Sequence, residues 1–162
     1  MTTTEQGGGE QAIEGVLKEI GWEHARASSE SWHAHVPTKT GAVPAVVYHH
    51  GPTQTILFYL VVPLKLPDDH RAEVAEFLTR ANRGLRLGAF ELNWDDMEVR
   101  YRVGVDYEGA KPDLAFKNAI GDALAMYDRY RDALASVAWG GRGPADALEW
   151  AEQRAAGGAS AD

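Results

Sequence analysis

Asp95–Asp96, Asp68–Asp69, the histidines at 33, 35, 49 and 50, and the arginines at 100 and 102 are the side chains whose types and spacing can do chemistry. Two adjacent carboxylates can share general acid and general base roles if a pocket and a third group push their pKa values apart. Asp95–Asp96 sits inside GAFELNWDDMEVRYRVGVD, residues 88–106. Before the pair, Phe90, Leu92 and Trp94 share one strand face. After it, Met97, Val99, Tyr101, Val103 and Val105 share one face, and Glu91, Asn93, Glu98, Arg100, Arg102 and Asp106 fall on the opposite faces. This is a strand pair with one side on a core and one side wet. The two aspartates fall where a two-residue hairpin turn belongs, and aspartate tolerates the positive φ of such turns. The pair reads as a corner, not a catalytic dyad.

The other groups reduce in the same way. Asp68–Asp69, with His70 and Glu73, follows Pro67, and carboxylates there complement the positive start of a helix. Three imidazoles can hold zinc. If Val36 pairs with Val43 across the turn, however, His50 lies opposite Ser29, about 14 Å along the strand from His33. The expectation is therefore a solvated histidine face without a metal. GGRGPA from Gly140 follows a helix and lacks the Gly-Lys-Ser/Thr ending of a phosphate loop. No Gly-x-Ser-x-Gly or His-Glu-x-x-His occurs, and no cofactor motif is found. Arg100 and Arg102 near Tyr107 can contact nucleic acid by charge and stacking. Their neighbours Glu91, Glu98 and Asp106 favour cross-strand pairing instead.

The elements that must position these residues follow from periodicity. Gln11 to Gly21 predicts a helix with Ile13, Val16, Leu17 and Ile20 on one face. Ser31 to Val36, Val43 to His50 and the apolar Thr53 to Pro63 predict three strands, the last central and buried. A helix opens at Pro67, carries Val74, Phe77, Leu78, Ala81 and Leu85, and ends at Gly88. Ala89 to Trp94 and Met97 to Asp106 are two further strands. A long helix runs from Pro112 to Gly140–Gly141 on Phe116, Ile120, Leu124, Tyr127, Leu134 and Val137. The order α-βββ-α-ββ-α predicts an α+β fold: a largely antiparallel five-stranded sheet flanked by helices. The expected organisation is a flexible tail over 1–10, one domain over 11–141, a short helix over 142–154 and a disordered tail over 155–162.

Bulk properties narrow the function classes. A chain of 162 residues suits one domain with one core. Its formal charge of −8 disfavours a nucleic-acid partner. It has no cysteine, which removes disulfides, thiolate metal sites and cysteine nucleophiles. The start MTTTEQGGGEQ lacks the features of a signal peptide. Ile56 to Leu64 falls short of the ~18 residues of a membrane span. A cytoplasmic location with no membrane partner is expected.

The stretch AEVAEFLTRANRGLRLGAFELNWDDMEVRYRVGVDYEG, residues 72–109, resembles the YbjN family of bacterial proteins. The matching features are Asn82 at a helix end, Arg86-Leu87-Gly88 with Phe90, the acidic hairpin, and Val99 to Asp106. VVPLKLPDDHRAEV upstream and AMYDRYRDALASVAWGG downstream also fit, so the resemblance spans roughly residues 11–141. At Met97 relatives often carry a turn glycine. The resemblance implies a type III secretion chaperone-like fold, usually dimeric, in regulators of sensory transduction or stress response. It transfers no catalytic residue.

The resulting expectation is a non-enzymatic adaptor that forms a homodimer and holds an extended or helical client segment in a groove or at a strand edge. Edge aromatics suit such contacts, and the candidate contact residues are Trp32, Tyr48, Tyr59, Arg100, Arg102 and Trp139. The alternatives are a small-molecule-sensing domain, which needs a deep polar-lined pocket, and a nucleic-acid-associated stress factor. The client itself is unknown.

Overall fold

The computed structural model describes residues 7–158. Helix α1 (Gly7–Ile20) is followed by strands β1 (Glu23–Arg26), β2 (Ser31–Thr38), β3 (Gly41–His50) and β4 (Thr55–Val61). Then come α2 (Arg71–Asn82), the hairpin strands β5 (Ala89–Leu92) and β6 (Val99–Asp106), and helices α3 (Asp113–Ala138) and α4 (Pro144–Gly158). The six strands form one sheet in the order β1-β2-β3-β4-β6-β5, and every neighbouring pair is antiparallel.

The fold is the expected α+β arrangement with one strand more. β1 reads EHAR, polar and short, and three of its four residues are exposed. An edge strand with no buried face carries no alternation, so sequence periodicity passes over it. The assumed register of the next hairpin is the observed one, with Val36 opposite Val43.

Alternation divides the sheet into two unlike faces. One face presents Trp32, Val47, Phe58, Leu60, Tyr101 and Val103, all buried. Helix α1 meets it with Ile13, Val16 and Leu17, and Phe116 of α3 stacks edge-on against Phe58 at 6.2 Å. Phe77 of α2 and Phe90 of β5 both pack edge-on against Tyr130 of α3. Helix α4 packs on α2 and α3. Each fully buried large side chain contributes about 1.5–3 kcal/mol by leaving water, so this face supplies the core. The other face has no helical layer.

Several boundaries differ from expectation. α1 starts at Gly7, so the expected tail over 1–10 loses its last four residues to the helix; residues 1–6 lie outside the described residues. Gly9 permits this start. A Cβ there would lie 2.3 Å from both His49 Nε2 and the Tyr107 hydroxyl. α2 ends at Asn82, short of Gly88. The Asn82 amide accepts from the Phe90 N–H (2.8 Å) and donates to the Phe90 carbonyl (2.9 Å), supplying the two bonds a neighbouring strand would supply. Leu85 then lies in the connecting turn, half-buried against the core. Gly88 is a close approach: a Cβ would come within 2.5 Å of the Arg102 carbonyl and 2.6 Å of the Tyr101 ring. α4 continues to Gly158, four residues past the expected end, and takes the first part of the expected tail.

Candidate functional site

The acidic hairpin is a corner, but not a two-residue one. Leu92 pairs with Val99, the Asn93 N–H bonds the Glu98 carbonyl, and the Met97 N–H bonds the Asn93 carbonyl. That makes a four-residue loop, Trp94 to Met97. Asp96 accepts the Glu98 N–H at 2.9 Å, and Asn93 accepts the Asp95 N–H at 3.1 Å. The carboxylates stay exposed. Met97 takes φ +61°, the left-handed value that glycine adopts freely. Its side chain is only 1% exposed. Methionine here trades backbone strain for burial.

Asp68 pairs with Arg71 at 3.0 Å in the short 3-10 turn that leads into α2. Gly140 and Arg142 donate their N–H groups to the Ser136 carbonyl, with Gly141 at φ +67°, so GGRGPA closes the C-terminus of α3. His33 and His35 are exposed on the open sheet face. His50 bonds Thr53 at 2.7 Å. His49 departs from the solvated-face reading. It points into the covered face, is buried, and hydrogen-bonds the Tyr107 hydroxyl at 2.7 Å. Burial lowers its pKa below 6.5 against the opposing pull of Glu10 and Glu30.

The open face gathers four of the six candidate contact residues. Arg100 and Arg102 project from β6 and Tyr59 from β4, with Tyr59 opposite Arg102. Tyr48 of β3 meets Tyr59 edge-on at 5.9 Å. The Arg100 guanidinium lies 4.2 Å from the centre of the Tyr59 ring. Arg100 and Arg102 each donate through Nε to one oxygen of Glu91, at 2.8 and 2.6 Å. Burial pushes the Glu91 carboxyl up, but the hydrogen bonds from Arg102 and Arg100 outweigh it and hold the group below 4.5. The two arginines are thus held by one carboxylate, and Arg100 lies over the Tyr59 ring. Of the three acids expected to pair across the strands with Arg100 and Arg102, Glu91 alone forms ion pairs with them.

The remaining two candidates lie elsewhere. Trp32 is fully buried under α1, its indole N–H donating to Glu14, so it has no surface to offer a partner. Period-2 alternation places Trp32 with Ala34 and Val36, and that face is the one the helices cover. Trp139 is 54% exposed and caps the C-terminus of α3, in the helical layer.

Sequence reasoning missed the centre of the face. Val46, Leu57 and Val61 stand among the tyrosines, half-buried with no layer above them. The signal was present. Thr55–Val61 is apolar on both faces, and in a sheet with helices on one side only, the second apolar face remains at the surface. The open face carries Arg100 and Arg102 together with Glu91, Glu98 and Asp106, and Glu23 at its far edge, a formal −2 against −8 for the whole chain.

The family model for YbjN, described as "Putative bacterial sensory transduction regulator", matches residues 10–136. The chain belongs to this family. No curated protein and no solved structure matches it. The family description is that of a regulator, which agrees with a role in regulation and names no reaction. Among the described residues, no helix is long and apolar enough to cross a membrane.

Proposed function

We propose that this protein is a non-enzymatic regulator of bacterial signalling or stress response that acts in the cytoplasm by binding protein, and that it does so as a homodimer joined through its open sheet face. One observation carries the reading: the sheet is covered by helices on one side only, and the uncovered side has an apolar, tyrosine-rich centre. An apolar sheet face gains about 25 cal/mol for each Å² it removes from water. A second copy suits it because the centre of the face is uncharged and its rim carries a formal −2 of the chain's −8, so two such faces meet with less repulsion than the rest of the surface imposes. A stable interface needs roughly 800 Å² per partner, which an exposed six-stranded face can supply.

Light scattering after size exclusion tests this. The wild-type chain is expected to elute as a dimer, and Leu57→Glu as a monomer with unchanged circular dichroism. A monomeric wild type at micromolar concentration would sink the dimer, and a Leu57→Glu dimer would move it to another surface.

A second reading, small-molecule sensing, is favoured by one observation. A cleft of about 380 Å³ between the α2–β5 connection and α3 is lined by Arg86, Arg129, Asp122 and Met126. That volume is within the range of ligand pockets. A rise in melting temperature with a small carboxylate, abolished by Arg86→Ala, would support it.

A further inference from the structure

The open face does not use the far edge of the sheet. There β5 is only four residues long and ends with Ala89 opposite Arg102, while β6 continues to Asp106. In an antiparallel strand, successive residues send their backbone bonds to opposite sides. On β6 the odd residues bond towards β4: the Val62 N–H reaches the Val99 carbonyl, and the Tyr107 N–H reaches the Gln54 carbonyl. The even residues bond towards β5, as the bond from Asn93 N–H to the Glu98 carbonyl shows. Gly104 and Asp106 are even, and both are exposed. Their N–H and C=O groups face outward where β5 no longer runs.

Below this edge is a groove of about 310 Å³ lined by Leu87, Val103, Val105, Ala115, Asn118 and Ala119. Helix α3 offers alanines there, which leaves room for incoming side chains. Leu87 is 64% exposed, the apolar lip between this groove and the Arg86 cleft. The charge at that end is distinctive. Arg26, Arg71, Arg80, Arg100, Arg102, Arg131 and Arg154 each have a carboxylate partner. Arg129 pairs with Glu152; among the described residues Arg83, Arg86 and Arg142 have no carboxylate ion pair, and Arg142 lies over the Trp150 ring. Asp122 in the cleft is engaged by the Tyr101 hydroxyl at 2.7 Å.

We infer that the free edge of β6 at Gly104–Asp106 is a client site that takes an extended peptide by strand addition, with apolar side chains entering the Ala115–Ala119 groove and an acidic residue at the end nearest Arg86. Only an extended chain meets outward N–H and C=O groups on one strand in alternation. Gly104 adds no side chain to obstruct the approach. A second copy fits poorly. The β5 strand of each copy flanks β6 as far as Arg102, so two edges could overlap over the outward residues alone. The inference rests on the reading that the protein binds protein, but it uses a different surface from the proposed dimer.

A random heptapeptide library displayed on phage, selected against the full chain, tests it. Enriched peptides are expected to alternate apolar residues and carry an acid at one end. Gly104→Pro removes one outward donor at a position where an edge strand accepts proline. Ala115→Trp fills the groove from an exposed position. Each is expected to weaken peptide binding roughly ten-fold, the scale of one lost hydrogen bond or anchor; Arg86→Glu removes the preference for the acid, and Val46→Glu, on the open face two strands away from β6, leaves binding unchanged. If Gly104→Pro disturbs folding, Ala115→Trp still decides. No enrichment, or peptides indifferent to the groove variants, would overturn the inference. So would peptides lost only in Val46→Glu, which would leave the open face as the protein-binding surface. Disruption of a dimer by Ala115→Trp would overturn it in favour of edge pairing between copies.

Discussion

Phe58 and Tyr59 are neighbours in the chain and opposites in the fold. Phe58 points into the helix-covered face, is fully buried and meets Phe116 edge-on. Tyr59 points to the open face, between Tyr48 and Arg100. Both are large aromatic rings on the central strand, so composition does not separate them. The difference is what lies above each ring: helix α3, through Phe116, over Phe58, and no helix over Tyr59. The covered face holds the fold together. The open face keeps apolar area at the surface, held in shape by an ion-paired arginine pair.

Substitutions at these neighbours should break the comparison most sharply. Phe58→Ala is expected to lower the unfolding free energy by about 3–5 kcal/mol in urea, because it leaves a cavity under α3. Tyr59→Ala should cost less than about 1 kcal/mol in a monomeric background, while weakening self-association seen by light scattering. Equal losses from the two would mean that the open face is part of the core.

Met97→Gly follows in size. Removing a buried methionine side chain costs about 2–5 kcal/mol, and relief of the left-handed strain returns about 1 kcal/mol. Net destabilisation is expected in chemical denaturation, with the hairpin retained. A gain in stability would show that strain dominates at this turn.

The two faces also differ in their pH windows. His49 is held neutral beneath the N-terminus of α1, with Glu10, Glu30, His50 and Arg26 as its charged surroundings. Its pKa is lowered by folding, so the folded state binds the proton less well than the unfolded chain. Its contribution is fully present above pH 6.5 and is lost as pH falls through the folded value. His49→Gln should flatten the stability profile just below pH 6.5, measured by thermal melts across pH. The smallest effect belongs to the open face. Glu91, also lowered, contributes stability above pH 4.5 that is lost as pH falls through its folded value. Glu91→Gln should remove that small contribution at neutral pH, leave acid stability nearly unchanged, and so flatten the fall in stability below pH 4.5.

Much of this was legible from residue order alone. Ile13, Val16 and Leu17 at helical spacing, the alternation through Val99–Asp106, and the long Phe116-to-Val137 stripe specify their elements because each pattern is local. The register of β2 with β3 was legible for the same reason, since the tight turn between Thr38 and Gly41 fixes which residues face each other. Tyr48, Tyr59, Arg100 and Arg102 could be assigned to strand faces. Alternation states which residues share a face; it does not state which face a helix will cover.

That second question was settled by packing between distant segments. Helix docking turned Trp32 inward and left Leu57 outward, although both sit on apolar strand positions. The length of β5 relative to β6 left Gly104 and Asp106 without a neighbour, and no feature of either strand announces where the other stops. β1 exists because β2 offers it backbone partners, its own EHAR sequence having no buried face to declare it. The amino-acid order determined the elements, their apolar stripes and the turns between them through short-range sterics and periodicity. The tertiary structure alone decided which apolar surface became core and which stayed available to a partner, because that choice depends on contacts between residues far apart in the chain.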